Sequence, residues 1–321
     1  MAIPSARFAF LLLATSLFSF GAASAQTTAF AGSKPLPMFD AHPRSMRVNV
    51  NLVLVPVTVT DEMHRPVLDL KQSSFELFEG SDKQQIRYFY QEDSPISVAL
   101  VLDVSGSMGK QMEVLREAVS QFFYNANPND DYTVVTVSDR PEVLIRGSRS
   151  IEEVQATLAT VIPAGWTALL DSVKLAAIAL KNARYQRKAI LIVSDGLDNS
   201  SRWNLKKTAA LIEESDVDVY AIGVMDDALP FFSFLEERVN KKLLTKLSDS
   251  TGGRTVVVET ASMLPDMAAK ISEEMRSTYV LGYRPTDGAH DRRWRKIEVK
   301  ITNPGESLKA YYKKSYFTPG D

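Results

Sequence analysis

The apolar positions of this chain change period twice. From Arg47 they alternate: Val48, Val50, Leu52 and Leu54 share one face of an extended strand, and Val55, Val57 and Val59 continue on the other, with a bulge or face switch expected near Pro56. Asp61–Pro66 reads as a turn, Ser73–Gly80 as a strand ending in a turn, and Ile86–Tyr90 as another strand. About fifty residues of this kind make half a β-sandwich and are too few to close a good core alone.

From Ile96 the pattern becomes one of alternating strands and helices. Ile96–Leu102 and Lys188–Val193 are almost wholly apolar, as strands of a parallel sheet are when both faces are covered. Asp131–Val137, Val217–Val224 and Arg254–Val258 add strands, and Pro141–Ile145 a short edge partner. Helical spacing runs over Lys110–Asn125, from Ser150 to about Ile162, and over Ala168–Ala183, Leu205–Glu214, Phe234–Asp249 and Ser262–Arg276. Ser150 with Glu153 three residues on is a capping box, and Gly252-Gly253 a stop signal for the fifth helix. This order predicts an α/β fold, a doubly wound and mostly parallel sheet with helices on both faces. After Ser277 the alternation returns, in Thr278–Tyr283, Lys296–Ile301 and Leu308–Lys313, with a turn at Asp287-Gly288 and Tyr316-Phe317 closing the chain. The simplest arrangement joins the flanks, residues 46–94 and 277–318, into one β-sandwich, with the α/β domain, 95–276, inserted into it.

The N-terminus carries a different signal. Arg7, the apolar run Phe8–Phe20 and the small residues Ala23-Ser24-Ala25 read as an export signal over 1–25, cleaved after Ala25. Residues 26–45 carry chain breakers without periodicity and read as a flexible linker. The expected mature chain is secreted or periplasmic, has no transmembrane segment and no lipid-bearing cysteine. The chain contains no Cys, which excludes disulfides, thiolate catalysis and Cys-based zinc sites. A formal net charge of −2 gives no general attraction to nucleic acid. The basic run Arg292–Lys296 is local and reads as a solvated hairpin and strand edge.

Ligands on open parallel sheets sit at the carboxyl ends of the strands. Three segments place polar residues there. Asp103, Ser105 and Ser107 follow the first apolar strand, Thr167 lies in the loop after Gly165, and Asp195 stands in Ser-Asp-Gly after the second apolar strand. Two carboxylates and three hydroxyls suit a small hard cation, Mg²⁺ or Mn²⁺, and leave positions for water or an incoming carboxylate. Each residue alone has a plainer role as a helix cap or turn former. Asp198 and Asn199 sit near the site by sequence and read as turn residues. A Ser-His-Asp triad lacks a base, because His42, His64 and His290 all fall outside the α/β domain. No Walker A loop, dinucleotide-type glycine motif or Gly-x-Ser-x-Gly elbow occurs.

Asp103-x-Ser105-x-Ser107, then Thr167, then Asp195-Gly196 resembles the metal-ion-dependent adhesion site of von Willebrand factor type A domains. The resemblance covers residues 94–276, and the layout as a whole is similar to bacterial secreted proteins of the von Willebrand factor A-related kind. It implies that Ser105, Ser107 and Thr167 ligate through hydroxyls, and that Asp103 and Asp195 contact the metal directly or through water. The remaining position would take an Asp or Glu from a protein partner. It also implies a binding rather than a catalytic protein, and a last helix able to pass occupancy on to the sandwich. A structural module with a purely stabilising metal and a metal-assisted hydrolase are the alternatives.

Overall fold

A computed structural model describes residues 52–195, 198–224, 233–285, 293–302 and 307–318, over 233–240 as helix backbone only. The export signal, the linker, the first residues of the opening strand, His42, Gly196, Asp287-Gly288, His290 and Arg292 lie outside the described residues.

The first flank forms β1 (Val53–Thr60), β2 (Phe75–Glu79), β3 (Asp82–Gln84) and β4 (Tyr88–Glu92). Of the bulge or face switch expected near Pro56, the bulge is absent: Val55, Pro56 and Val57 pair in unbroken register with Leu281, Val280 and Tyr279. The other neighbour of β1 pairs only from Val57 onward. Pro56 therefore stands where the strand has a partner on one side only, a position that tolerates a missing N–H.

The α/β segment runs β5 (Ser97–Asp103), a 3-10 turn (Gly106–Gln111), α1 (Met112–Tyr124), β6 (Asp131–Val137), β7 (Val143–Ser148), α2 (Ile151–Thr160), α3 (Leu169–Leu180) and β8 (Lys188–Ser194). It continues with α4 (Leu205–Glu214), β9 (Asp218–Val224), α5 (Ser233–Ser248), β10 (Thr255–Val258) and α6 (Leu264–Arg276). The sheet order is β10-β9-β8-β5-β6-β7, parallel throughout except for β7 against β6. β5 is buried at every residue and serves two cores. Val98, Leu100 and Leu102 pack with α1 and α6, and Ala99 and Val101 with α3 and the buried Leu244 and Leu247 of α5. From β5 the chain goes first to β6 on one side and later to β8 on the other. The topological switch point thus lies between the carboxyl ends of β5 and β8, the place where open sheets of this kind take their ligands.

Two local signals take other roles than expected. Ser150 Oγ accepts from Glu153 N at 3.1 Å, but Ser150 N donates to Ser148 Oγ at 3.1 Å, so Ser148 stands in for the glutamate half of the capping box. Neither Gly252 nor Gly253 has a positive φ. A Cβ on Gly253 would lie 2.2 Å from Val219 O, and one on Gly252 2.6 Å from Asp218 Oδ1. These glycines allow close approach to the start of β9 rather than stopping α5.

The tail forms β11 (Thr278–Tyr283), β12 (Trp294–Ile301), β13 (Lys309–Tyr312) and β14 (Ser315–Phe317). Two four-stranded antiparallel sheets result, β13-β1-β11-β4 and β14-β12-β2-β3. Each takes strands from both flanks, and Val57, Val59, Leu77, Tyr279, Leu281 and Val299 share one core between them. The basic run is not solvated throughout: Arg295 is largely buried and pairs with Glu79 on β2. Only Ser277 separates α6 from β11. Arg187 ties both domain crossovers, donating to Ser94 O at 2.9 Å and to Met275 O at 2.8 Å.

Candidate metal centre

Asp103 ends β5 and is fully buried. Its Oδ1 accepts from Ser105 N at 3.0 Å, which turns the chain off the strand, and its Oδ2 accepts from Ser194 Oγ at 2.5 Å. Ser194 ends β8, so this one carboxylate ties the two strand ends at the switch point. Ser105 Oγ lies 3.0 Å from Ser107 Oγ, and Ser107 Oγ donates to Asp195 Oδ2 at 2.7 Å. Three of the five expected ligands therefore form a continuous string of oxygens, running from buried Ser105 through exposed Ser107 to Asp195, with Asp103 bonded to the backbone of the first.

Thr167 joins this group through the backbone of its loop. Gly106 N donates to Gly165 O at 3.1 Å, and Ala164 N to Val104 O at 2.9 Å. Gly165 has φ +82, and a Cβ there would lie 2.2 Å from Asp139 Oδ1, so this turn requires glycine. Thr167 itself is buried and held at both backbone groups. Its N–H donates to Asn199 Oδ1 at 3.0 Å, and its carbonyl accepts from Asn199 N at 3.0 Å and Ser200 N at 3.1 Å.

Asn199 is thus more than a turn residue: it positions Thr167. Asp198 has a related task. The N-cap position of α3 is Ala168, which has no capping side chain. Asp198 Oδ1, 28 residues away in sequence, accepts from Leu170 N at 3.4 Å and from Ser201 Oγ at 2.5 Å. An uncapped helix start was the only signal in the sequence that such a partner is required. Asn199→Ala is expected to weaken metal binding by about tenfold, the scale of losses when a ligand's support is removed. Calorimetric titration with Mg²⁺ or Mn²⁺ checks this, and unchanged affinity would remove Asn199 from the site.

Burial, with the charge of Asp195 adding to it, pushes the Asp103 carboxyl up to about 6. The hydrogen bonds from Ser105 and Ser194 act in the opposite direction. A buried carboxyl beside a second one, with an all-oxygen donor set, fits a hard divalent cation. Among the described residues no group of three His, Cys, Asp or Glu forms a rival site. A cavity of about 620 Å³ opens at the other edge of the sheet, near Ile96, Arg187 and Asp218, between the α/β domain and the sandwich, and has no part in this centre.

A sequence profile of the von Willebrand factor type A domain matches residues 98–197, a span that holds all five candidate ligands. No curated protein matches the sequence. Among solved structures, the chain is similar to a von Willebrand factor type A protein from Catenulispora acidiphila at 12% identity and TM-score 0.50, over 78% of this chain and 75% of that one. It is also similar to BatB from Bacteroides thetaiotaomicron, at 16% identity and TM-score 0.45, over 57% and 100% of the two chains. Proximal thread matrix protein 1 from the mussel byssus, in a form with a zinc-occupied adhesion-site motif, gives 17% identity and TM-score 0.46 over 62% and 50%. The inserted α/β domain has the fold of a von Willebrand factor type A domain.

Proposed function

We propose that this chain is an exported, non-catalytic binding module that captures an aspartate or glutamate of a protein partner through a divalent cation. Asp103, Ser105, Ser107, Thr167 and Asp195 would hold Mg²⁺ or Mn²⁺. The observation that carries this reading is the string Ser105–Ser107–Asp195 beside the buried carboxylate of Asp103. When bound, the cation supplies positive charge and an open position for a carboxylate oxygen. The hydroxyls of Ser105, Ser107 and Thr167 leave that charge largely unneutralised. Asp103 is anchored to both strand ends and sets the depth of the site, while exposed Ser107 stands at its mouth.

The non-catalytic part rests on the bases at hand. His64, the one histidine among the described residues, has its Nδ1 2.9 Å from Arg254 Nη1, next to the start of β10 and so at the opposite edge of the sheet. Export rests on the N-terminal sequence alone. Among the described residues no helix is long and apolar enough to cross a membrane.

A second reading, in which metal only stabilises the fold, has its own support: Asp103 already joins β5 to β8, and a cation there would staple the two strands. Titrating Mg²⁺ while following both melting temperature and capture of proteins from the native envelope fraction separates the two. Acid capture predicts partners that are retained in Mg²⁺ and lost in EDTA. A rise in melting temperature with capture indifferent to EDTA would leave only the stapling role.

A further inference from the structure

Two large apolar side chains stand out in solvent on the loop that delivers Thr167: Ile162 is 83% exposed and Trp166 69%. A mobile loop could hold them there by chance, but this loop is tied along its length. Arg116 donates to Leu158 O at 3.1 Å and to Val161 O at 3.2 Å, fixing the approach to Ile162. Ala164 N and Gly165 O bond to the segment carrying Ser105 and Ser107, and Ala168 N donates to Ser138 O at 3.2 Å. Asn199 holds Thr167, and the left-handed Gly165 sets the turn just before Trp166. A ring fixed outward on so constrained a backbone loses little conformational freedom when something packs on it. Trp is also the residue most often found at the energetic centre of interfaces.

We infer that Ile162 and Trp166 form an apolar shelf of the acid-capturing site, and that the partner presents an extended segment with an Asp or Glu and an aromatic or branched aliphatic residue within about three positions of it, a span of roughly 10 Å. This rests on the acid-capture reading above. Three relations select that occupant. The shelf is continuous with the proposed metal-binding oxygens, since the residue before Trp166 is bonded to the residue between Ser105 and Ser107. Pro163, between Ile162 and Trp166, lies close to Gly109 at the end of the same segment, where a Cβ would meet its ring at 3.9 Å. Lys110 and Arg140 are exposed on the two flanking segments, two cations against the one exposed carboxylate of Asp139, whose Oδ1 lies close to Gly165.

The test uses the intact chain and immobilised, end-capped hexapeptides. Each peptide carries one Asp, with Ala, Leu, Phe or Trp at the flanking positions, and a matched set carries Asn for Asp. In millimolar Mg²⁺, peptides with apolar neighbours should be retained about tenfold better than Ala-flanked ones. Trp166→Ala should erase that advantage while leaving Asp dependence and Mg²⁺ affinity as in the natural chain, and Trp166→Phe should restore most of it. If Asp and Mg²⁺ dependence stand but the apolar advantage is absent or survives Trp166→Ala, the shelf alone falls. If Asn peptides bind as well as Asp peptides, or EDTA changes nothing, the acid-capture reading falls and the shelf with it.

Discussion

Asp103→Asn abolishes the rise in melting temperature that Mg²⁺ gives the natural chain, yet in EDTA at pH 8 the variant is at least as stable. Both halves follow from one side chain. Asn keeps the two hydrogen bonds of Asp103: its carbonyl accepts from Ser105 N, and its amide donates to Ser194 Oγ. It removes the charge. A carboxyl raised from 3.8 to about 6 is one that the native state holds protonated more tightly than the unfolded chain does. Stability of the metal-free protein therefore falls as pH rises from about 4 to about 6, and the whole cost, on the order of 3 kcal/mol, stands above that window. The variant escapes this cost and loses the ligand. Thermal unfolding of both proteins with EDTA and with Mg²⁺ reads each half separately. An undiminished Mg²⁺ response in the variant would remove Asp103 from the ligand set. A variant several degrees less stable in EDTA would show that the carboxylate is not under strain. In the natural chain, protons and cation compete for the same oxygens, so Mg²⁺ affinity should weaken as pH is lowered through 6.

The parts of this molecule that sequence reveals are those where one residue's chemistry decides its place. β5 and β8 are legible because a strand buried on both faces must be apolar throughout, and their polar ends mark the switch point. The interleaved sandwich is legible because neither flank could close a core alone. What stays hidden is set by residues far apart. Nothing near Asn199 says that its side chain will hold Thr167, 32 residues earlier. β3, three residues long, is too short to show a period. The helix read from Lys110 starts two residues early: Lys110 and Gln111 close the 3-10 turn Gly106–Gln111, and no chain breaker separates them from Met112, where α1 begins. Gly252-Gly253 looks like a helix stop because the backbone of Val219, which it must clear, is brought there by the fold. In the basic run Arg292–Lys296, Arg295 differs from its neighbours because it pairs with Glu79, which the register of β2 and β12 sets opposite Ile297, two residues on.

Glu274→Gln lowers stability by about 3–5 kcal/mol, a fall in melting temperature on the order of 10 °C, and leaves Mg²⁺ affinity within about twofold. Glu274 on α6 is fully buried and pairs with Arg254, itself 4% exposed, at 2.7 Å. Arg254 also donates to His64 Nδ1 at 2.9 Å and lies 5.2 Å from the centre of the Tyr311 ring. Arginine is only a donor, so His64 accepts there as a neutral imidazole with its proton on Nε2. Burial, reinforced by the charge of Arg254, lowers its affinity for a second proton. One guanidinium thus binds the foot of α6, the turn after β1 and strand β13 together. Removing the carboxylate strands a buried cation at this junction of the two domains. The pair is imperfect, since Glu274 Oε1 is buried without a partner among the described residues. Arg254→Met with Glu274→Leu should therefore recover most of the loss. The same pinning bears on whether α6 can report occupancy. With Arg254 gripping Glu274 and Arg187 gripping the Met275 carbonyl, the foot of this helix resists axial displacement. Metal binding at the opposite edge of the sheet should then be indifferent to the Arg254–Glu274 pair, and a Mg²⁺ affinity that changes tenfold in Glu274→Gln would show that α6 moves as one rod between the site and the sandwich.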